Sequence, residues 1–65
     1  MNEWFTIQKA KLEEDPHDEE WEHVCDSQEG FELTQDLMLS FLHCFKETHK
    51  FRMLEMRSEV VCETD

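Results

Sequence analysis

One glycine and one proline in 65 residues, Gly30 and Pro16, leave this chain little of the turn chemistry on which short-stranded folds depend. That scarcity disfavours an all-β architecture and makes helices the default expectation. Proline cannot continue a helix and disfavours helical geometry at the residue before it, so Asp15-Pro16 divides the chain. Gly30 divides it again, standing where a helix terminator is expected.

Three helical segments follow from this punctuation. Over about 3–14, Trp4, Ile7 and Ala10 fit one helical stripe and Phe5 with Leu12 another. Over 16–28, Asp15 is a suitable N-cap and Pro16 a suitable first residue. Asp18, Glu19 and Glu20 then fall near the first turn, where the helix dipole favours negative charge, and Trp21, Val24 and Cys25 form one buried face. The third segment, 34–57, has Thr34 as N-cap and neither glycine nor proline. Along it Leu37, Phe41, Cys44, Thr48 and Phe51 form a stripe that Met38, Leu42, Phe45 and Met56 widen. On another face of such a helix His43, Lys46, Lys50 and Arg57 line up as a basic stripe that could receive the acidic second helix. Residues 58–65 read as a tail. The expected architecture is therefore all-α: a single small domain built as a two- or three-helix bundle around a long central helix.

A chain this short buries only about 60% of its unfolded surface, so its core alone gives marginal stability. Five Phe, four Met and two Trp compensate in part for an apolar share of 38%, and make the chain too aromatic for an ordinary disordered tail. Homodimerisation through the wide apolar arc stays open, because small chains often complete their cores that way.

Charge bounds the partners. Seventeen Asp and Glu stand against six Lys and Arg, for a net charge of −11, and the first thirty residues hold ten of the acids with only two lysines. Direct binding to nucleic acid or to an anionic membrane is excluded on these grounds, and a partner protein with a basic surface is expected. Cys25, Cys44 and Cys62 form an odd, widely spaced set that suits a reducing compartment, cytoplasm or nucleus. The longest apolar-rich run, Leu37 to Leu42, falls far short of a membrane span, and the first residues lack a basic segment followed by a long apolar stretch.

Catalytic and metal chemistry find little support. His23, Cys25, His43, Cys44 and His49 are ligand types suited to zinc, but no Cys-x-x-Cys or His-x-x-x-His pair is present. On one helix His43 and His49 would point about 120° apart, so a site would have to recruit His23 or Cys25. His43 and Cys44 diverge by about 100° and form no nucleophile–base pair. Neither an enzyme nor a cofactor is expected.

The segment Asp18-Glu19-Glu20-Trp21-Glu22-His23-Val24 resembles the linear motif with which autophagy receptors bind ubiquitin-like modifiers. The resemblance implies Trp21 and Val24 in two apolar pockets, with the acids on a basic rim and the peptide added as a strand to a sheet edge. If 16–28 is helical, the same two residues are a core stripe instead, and the quality of Asp15-Pro16 as a helix start favours that reading. An inhibitor that mimics the nucleic-acid backbone is a further alternative, with Glu13, Glu14, Asp15, Asp18, Glu19, Glu20, Glu22 and Asp26 standing in for phosphates in a basic groove. An acidic activation-type segment would instead insert Trp21, Phe31 and Leu33 into a coactivator groove. The reading preferred over these is a small non-enzymatic regulatory or adaptor protein that binds a partner through an apolar helical face with an acidic rim. Trp4, Phe5, Trp21 and Phe31 are its expected anchors, joined by Val24 and the acids Glu19 and Glu20.

Overall fold

Four antiparallel strands and one helix make up the molecule, in the order β1 (Phe5–Lys11), β2 (Glu22–Ser27), α1 (Phe31–Phe45), β3 (His49–Glu55) and β4 (Glu59–Glu63). The computed structural model describes residues 4–12 and 21–64 of the chain. The strands form a single sheet in the order β2-β1-β3-β4, and α1 lies on one face of it, across β3 and β1. This overturns the all-α expectation and the helical bundle with it.

Alternation explains the first strand. Phe5 and Ile7 point toward the helix while Thr6, Gln8 and Ala10 point away, a period of two that the stripes drawn over 3–14 concealed. Within the expected 16–28 helix, Glu22–Ser27 is strand β2, paired with β1 through Phe5↔Ser27, Thr6↔Asp26 and Ile7↔Cys25. The register then slips by one residue, with Gln8 opposite His23, so Val24 is the extra residue of a bulge. The N-cap and first-turn assignments at Asp15, Pro16, Asp18, Glu19 and Glu20 lie outside the described residues.

The expected 34–57 helix is two elements. α1 begins earlier, with Gly30 rather than Thr34 at its N-cap, and Gly30 adopts φ 92°, a conformation open to glycine and strained for other residues. Thr34 lies in the first turn instead, fully buried, its hydroxyl donating to Ser27 Oγ at 2.9 Å. After Phe45 the chain turns: Thr48 donates its N–H to the Phe45 carbonyl at 3.0 Å, and its hydroxyl reaches the same oxygen at 3.2 Å. From His49 the period becomes two, with Phe51 and Met53 toward α1 and Lys50, Arg52 and Leu54 on the opposite face. The basic stripe of His43, Lys46, Lys50 and Arg57 therefore does not exist on one helix. Residues of the expected tail form β4, paired with β3 through Met53↔Cys62 and Leu54↔Val60.

The core is Phe5, Ile7, Met38, Phe51 and Met53, with Val24, Cys25, Phe41, Leu42, Val61 and Cys62 packed around it. Three phenylalanines tie helix to sheet, Phe51 lying 6.3 Å from both Phe41 and Phe45 between ring centres. On the helix-free face, Arg52 is buried, its Nε donating to Gln8 Oε1 at 2.7 Å and its guanidinium stacked 4.4 Å from the centre of the Trp21 ring.

Candidate protein-binding surface

α1 leaves Phe31, Leu33, Leu37, Leu39 and Phe45 exposed. Met38 and Thr34 are fully buried, and Phe41 and Leu42 complete the face turned to the sheet. Leu33, Leu37 and Leu39 are exposed by 57%, 39% and 47%.

Two contacts orient the helix about its axis. Thr34 bonds to Ser27 on β2, and Gln35 lies 3.5 Å from Cys62 Sγ on β4. At about 100° per residue, Leu33 and Leu37 fall beyond Thr34, on the β2 flank, and Leu39 falls beyond Gln35, on the β4 flank. Leu33, Leu37, Ser40 and Cys44 then share an arc of about 60° centred roughly 130° round from Met38. All four are exposed. Asp36 borders this arc on its solvent side, Glu32 lies about 40° further round toward Leu39, and Glu29 stands just before the helix N-terminus, all three exposed.

The residues expected to anchor a partner are dispersed over the fold. Phe5 is a core residue, 2% exposed and edge-to-face with Phe31 at 5.9 Å; Phe31 itself is 41% exposed. Trp4 is half-buried, 5.5 Å from the Arg57 guanidinium. Trp21 is half-buried on the helix-free face, against Arg52 and Lys50. Val24 is half-buried in β2 and packs on the core. Glu19 and Glu20 lie outside the described residues, as do Glu13, Glu14, Asp15 and Asp18; of the expected phosphate mimics, Glu22 and Asp26 are described, and both are exposed. Leu33 enters the sequence reading only through the activation-segment alternative and Leu37 only as part of a core stripe; their spacing of four in a helical run is the signal that pairs them on one exposed face.

The thiols and imidazoles are scattered likewise. Cys25 sits on β2, Cys44 on α1 and Cys62 on β4, all free, and among the described residues no group of three His, Cys, Asp or Glu is placed to hold a metal ion. Partial burial first, and the neighbouring Asp26 second, push the Cys25 thiol pKa up, which keeps it protonated and unreactive. His49 lines an open hollow of about 430 Å³ with Lys11, Leu12, Glu47 and Thr48, and its Nδ1 lies 2.7 Å from the Thr48 hydroxyl.

Asp26 is engaged by three side chains from other positions of the sheet and its turn. It accepts the Thr6 hydroxyl at 2.6 Å and lies 3.2 Å from the Arg57 guanidinium and 3.3 Å from His23 Nε2. It therefore links β2 to β1 and to the β3–β4 turn.

Comparison of the chain with protein-family models, with curated proteins and with solved structures finds no match. Among the described residues, no helix is long and apolar enough to cross a membrane.

Proposed function

We propose that this is a small, non-enzymatic regulatory or adaptor protein that binds another protein through the exposed apolar side of α1, with the surrounding acids selecting a partner of basic surface. The observation that carries the reading is the exposure of Leu33 and Leu37 on a helix whose core face is already satisfied by Met38, Phe41 and Leu42. Neighbouring exposed apolar side chains on one helix face, with acids at the rim, supply the apolar centre and polar border that a protein interface needs. The leucines would supply affinity, and the net charge of −11 would set association rate and partner choice. Three free thiols fit a reducing compartment, so cytoplasm or nucleus is the proposed location.

The test is photo-crosslinking in an extract of the source cell, with a photoreactive residue at position 37 in one sample and at position 60, on β4, in another. We expect one protein captured at position 37 and not at 60, with capture surviving 0.5 M salt and disappearing when Leu33→Ser is added to the chain that carries the photoreactive residue at position 37. Capture that ignores the leucines and collapses with salt would instead favour the nucleic-acid-mimicking inhibitor, since charge-driven association is the kind that salt screens. Use of residues 18–24 as a linear motif makes a third prediction. It would require Trp21 to leave Arg52 and Val24 to leave the core, so binding would compete with folding.

A further inference from the structure

The docking side of α1 also indicates what kind of element covers it. Leu33, Leu37, Ser40 and Cys44 succeed one another at spacings of four, three and four, the 3.5-residue repeat with which one helix seats a second along its length. The two leucines are large enough to serve as knobs. Ser40 and Cys44 are small, and the Ser40 hydroxyl is turned back onto the Asp36 carbonyl at 3.1 Å, which leaves room for close approach at the C-terminal half. We propose that this seam receives an amphipathic α-helix of a partner protein, with leucine-type residues on the stripe and Lys or Arg along its borders.

Charge decides between the occupants a seam of this kind could take. Asp36 borders its solvent side and Glu29 stands at its start, so a helix bordered by cations gains at both places. A second copy of the chain would bring −11 against −11 and set Asp36 near its own counterpart. An added strand is the other geometry, because β2 is an edge of the sheet beside the seam. The bulge at Val24 interrupts that edge and Glu22 and Asp26 charge it, two features that discourage strand pairing.

The inference rests on the reading of the protein as a binding module, and its test is chosen to fail separately. The probe is a synthetic 21-residue peptide of three heptads with Leu at the two stripe positions and Lys on both borders. A scrambled peptide of the same composition lacks the stripe. Each is titrated into the isotope-labelled protein while backbone amide resonances are followed. We expect saturable shifts concentrated over residues 33–44 with the striped peptide only. Leu33→Ser alone, at a site exposed enough to leave the fold intact, should weaken binding by a factor of about five, and the pair Leu33→Ser, Leu37→Ser by at least about tenfold. Leu39→Ser, on the opposite flank, should change it less than twofold. Equal binding of the scrambled peptide, or equal losses at Leu39 and Leu37, would overturn the helix in favour of unspecific charge attraction. A free protein that sediments as a dimer, and as a monomer once both leucines are replaced, would overturn it in favour of a second copy. Capture of a partner at position 37 in the extract, with no response to the striped peptide, would sink the helical occupant and leave the adaptor reading standing.

Discussion

Asp26 shows how single side chains hold a sheet this small. The Thr6 hydroxyl is the largest influence lowering its carboxyl pKa below the ordinary value; partial desolvation pushes the other way, and His23 and Arg57 add to the lowering. A group whose folded pKa lies below its unfolded one stabilises the fold at pH values above the unfolded pKa, near 4, and loses that contribution as pH falls through the folded value. Comparing melting temperatures of the natural chain and Asp26→Asn from pH 6 to pH 2 should therefore give a gap that is widest near pH 6 and closes in strong acid. A gap that persists to pH 2 would mean that the charge is not what Asp26 contributes. Phe5 makes the complementary case for the core. It is 2% exposed and lies against Phe31, so Phe5→Ala removes both burial and an aromatic pair, at a cost of about 3–5 kcal/mol. That is a large part of the stability of a domain this size, and the circular dichroism melt should be lost or shifted far down. Trp4→Ala, at a half-buried ring, should leave the melt cooperative.

Among the elements, the β3–β4 hairpin carries the clearest local strain. Ser58 donates its N–H to the Glu55 carbonyl at 3.0 Å, closing a turn whose two central residues, Met56 and Arg57, have φ of 51° and 59°. Turns of this type twist with the strands but favour Asn and Gly at both centres, because a left-handed conformation costs other residues about 1 kcal/mol or more. Arg57 is held there by Asp26 and by the Trp4 ring, and the Met56 N–H by the Trp4 carbonyl at 2.9 Å. The Met56 side chain is half exposed, so Met56→Asn should relieve strain at little expense and raise the melting temperature by roughly 4–8 °C per kcal/mol regained. A lower melting temperature would show that the methionine side chain is doing more than capping the turn. The same hairpin explains why the sheet was hard to read. With no glycine or proline after Gly30, neither the Lys46–Thr48 turn nor the Met56–Ser58 turn announces itself, and a run of helix formers appears continuous. What was legible was the apolar periodicity from Leu37 to Phe45, which does belong to a helix, and Gly30 as a boundary, although it opens α1 instead of closing a helix before it. Phe51 and Met53 alternating with Lys50, Arg52 and Leu54 held the signal for β3. It was absorbed into a helical stripe because Phe51 also falls in phase with Phe41 and Cys44. At the candidate surface, the spacing of Leu33 and Leu37 and the acids Glu29 and Asp36 are legible in the sequence. That Phe5 belongs to the core and that Trp4 and Trp21 lie against Arg57 and Arg52 is not legible there, because it depends on the strand pairing.

For the molecule as a whole, the distribution of cations matters as much as the net charge. Four of the six Lys and Arg lie against the protein's own rings: Lys9 over Phe45, Lys50 and Arg52 over Trp21, and Arg57 over Trp4. Lys9 also lies 3.9 Å from Glu22, and Arg57 pairs with Asp26. These cations are thus turned onto the protein's own rings and carboxylates, while the field at a distance follows the net charge of −11. That arrangement has an energetic consequence, because a compact body carrying −11 repels itself. Screening shortens the reach of the repulsion from about 30 Å at 0.01 M salt to about 8 Å at 0.15 M. Among the described residues the ion pairs Lys9–Glu22, His23–Asp26 and Arg57–Asp26 are all solvent-exposed on at least one side, so salt weakens them by less than it relieves the repulsion. The melting temperature should accordingly rise between 10 mM and 500 mM sodium chloride, while association with a basic partner slows over the same range and its dissociation, governed by Leu33 and Leu37, changes little. A thermal melt and a binding-kinetics series in the same buffers separate the two effects. A melting temperature that falls with salt would mean that the inward-turned pairs, and not the relief of self-repulsion, dominate the electrostatics of the fold.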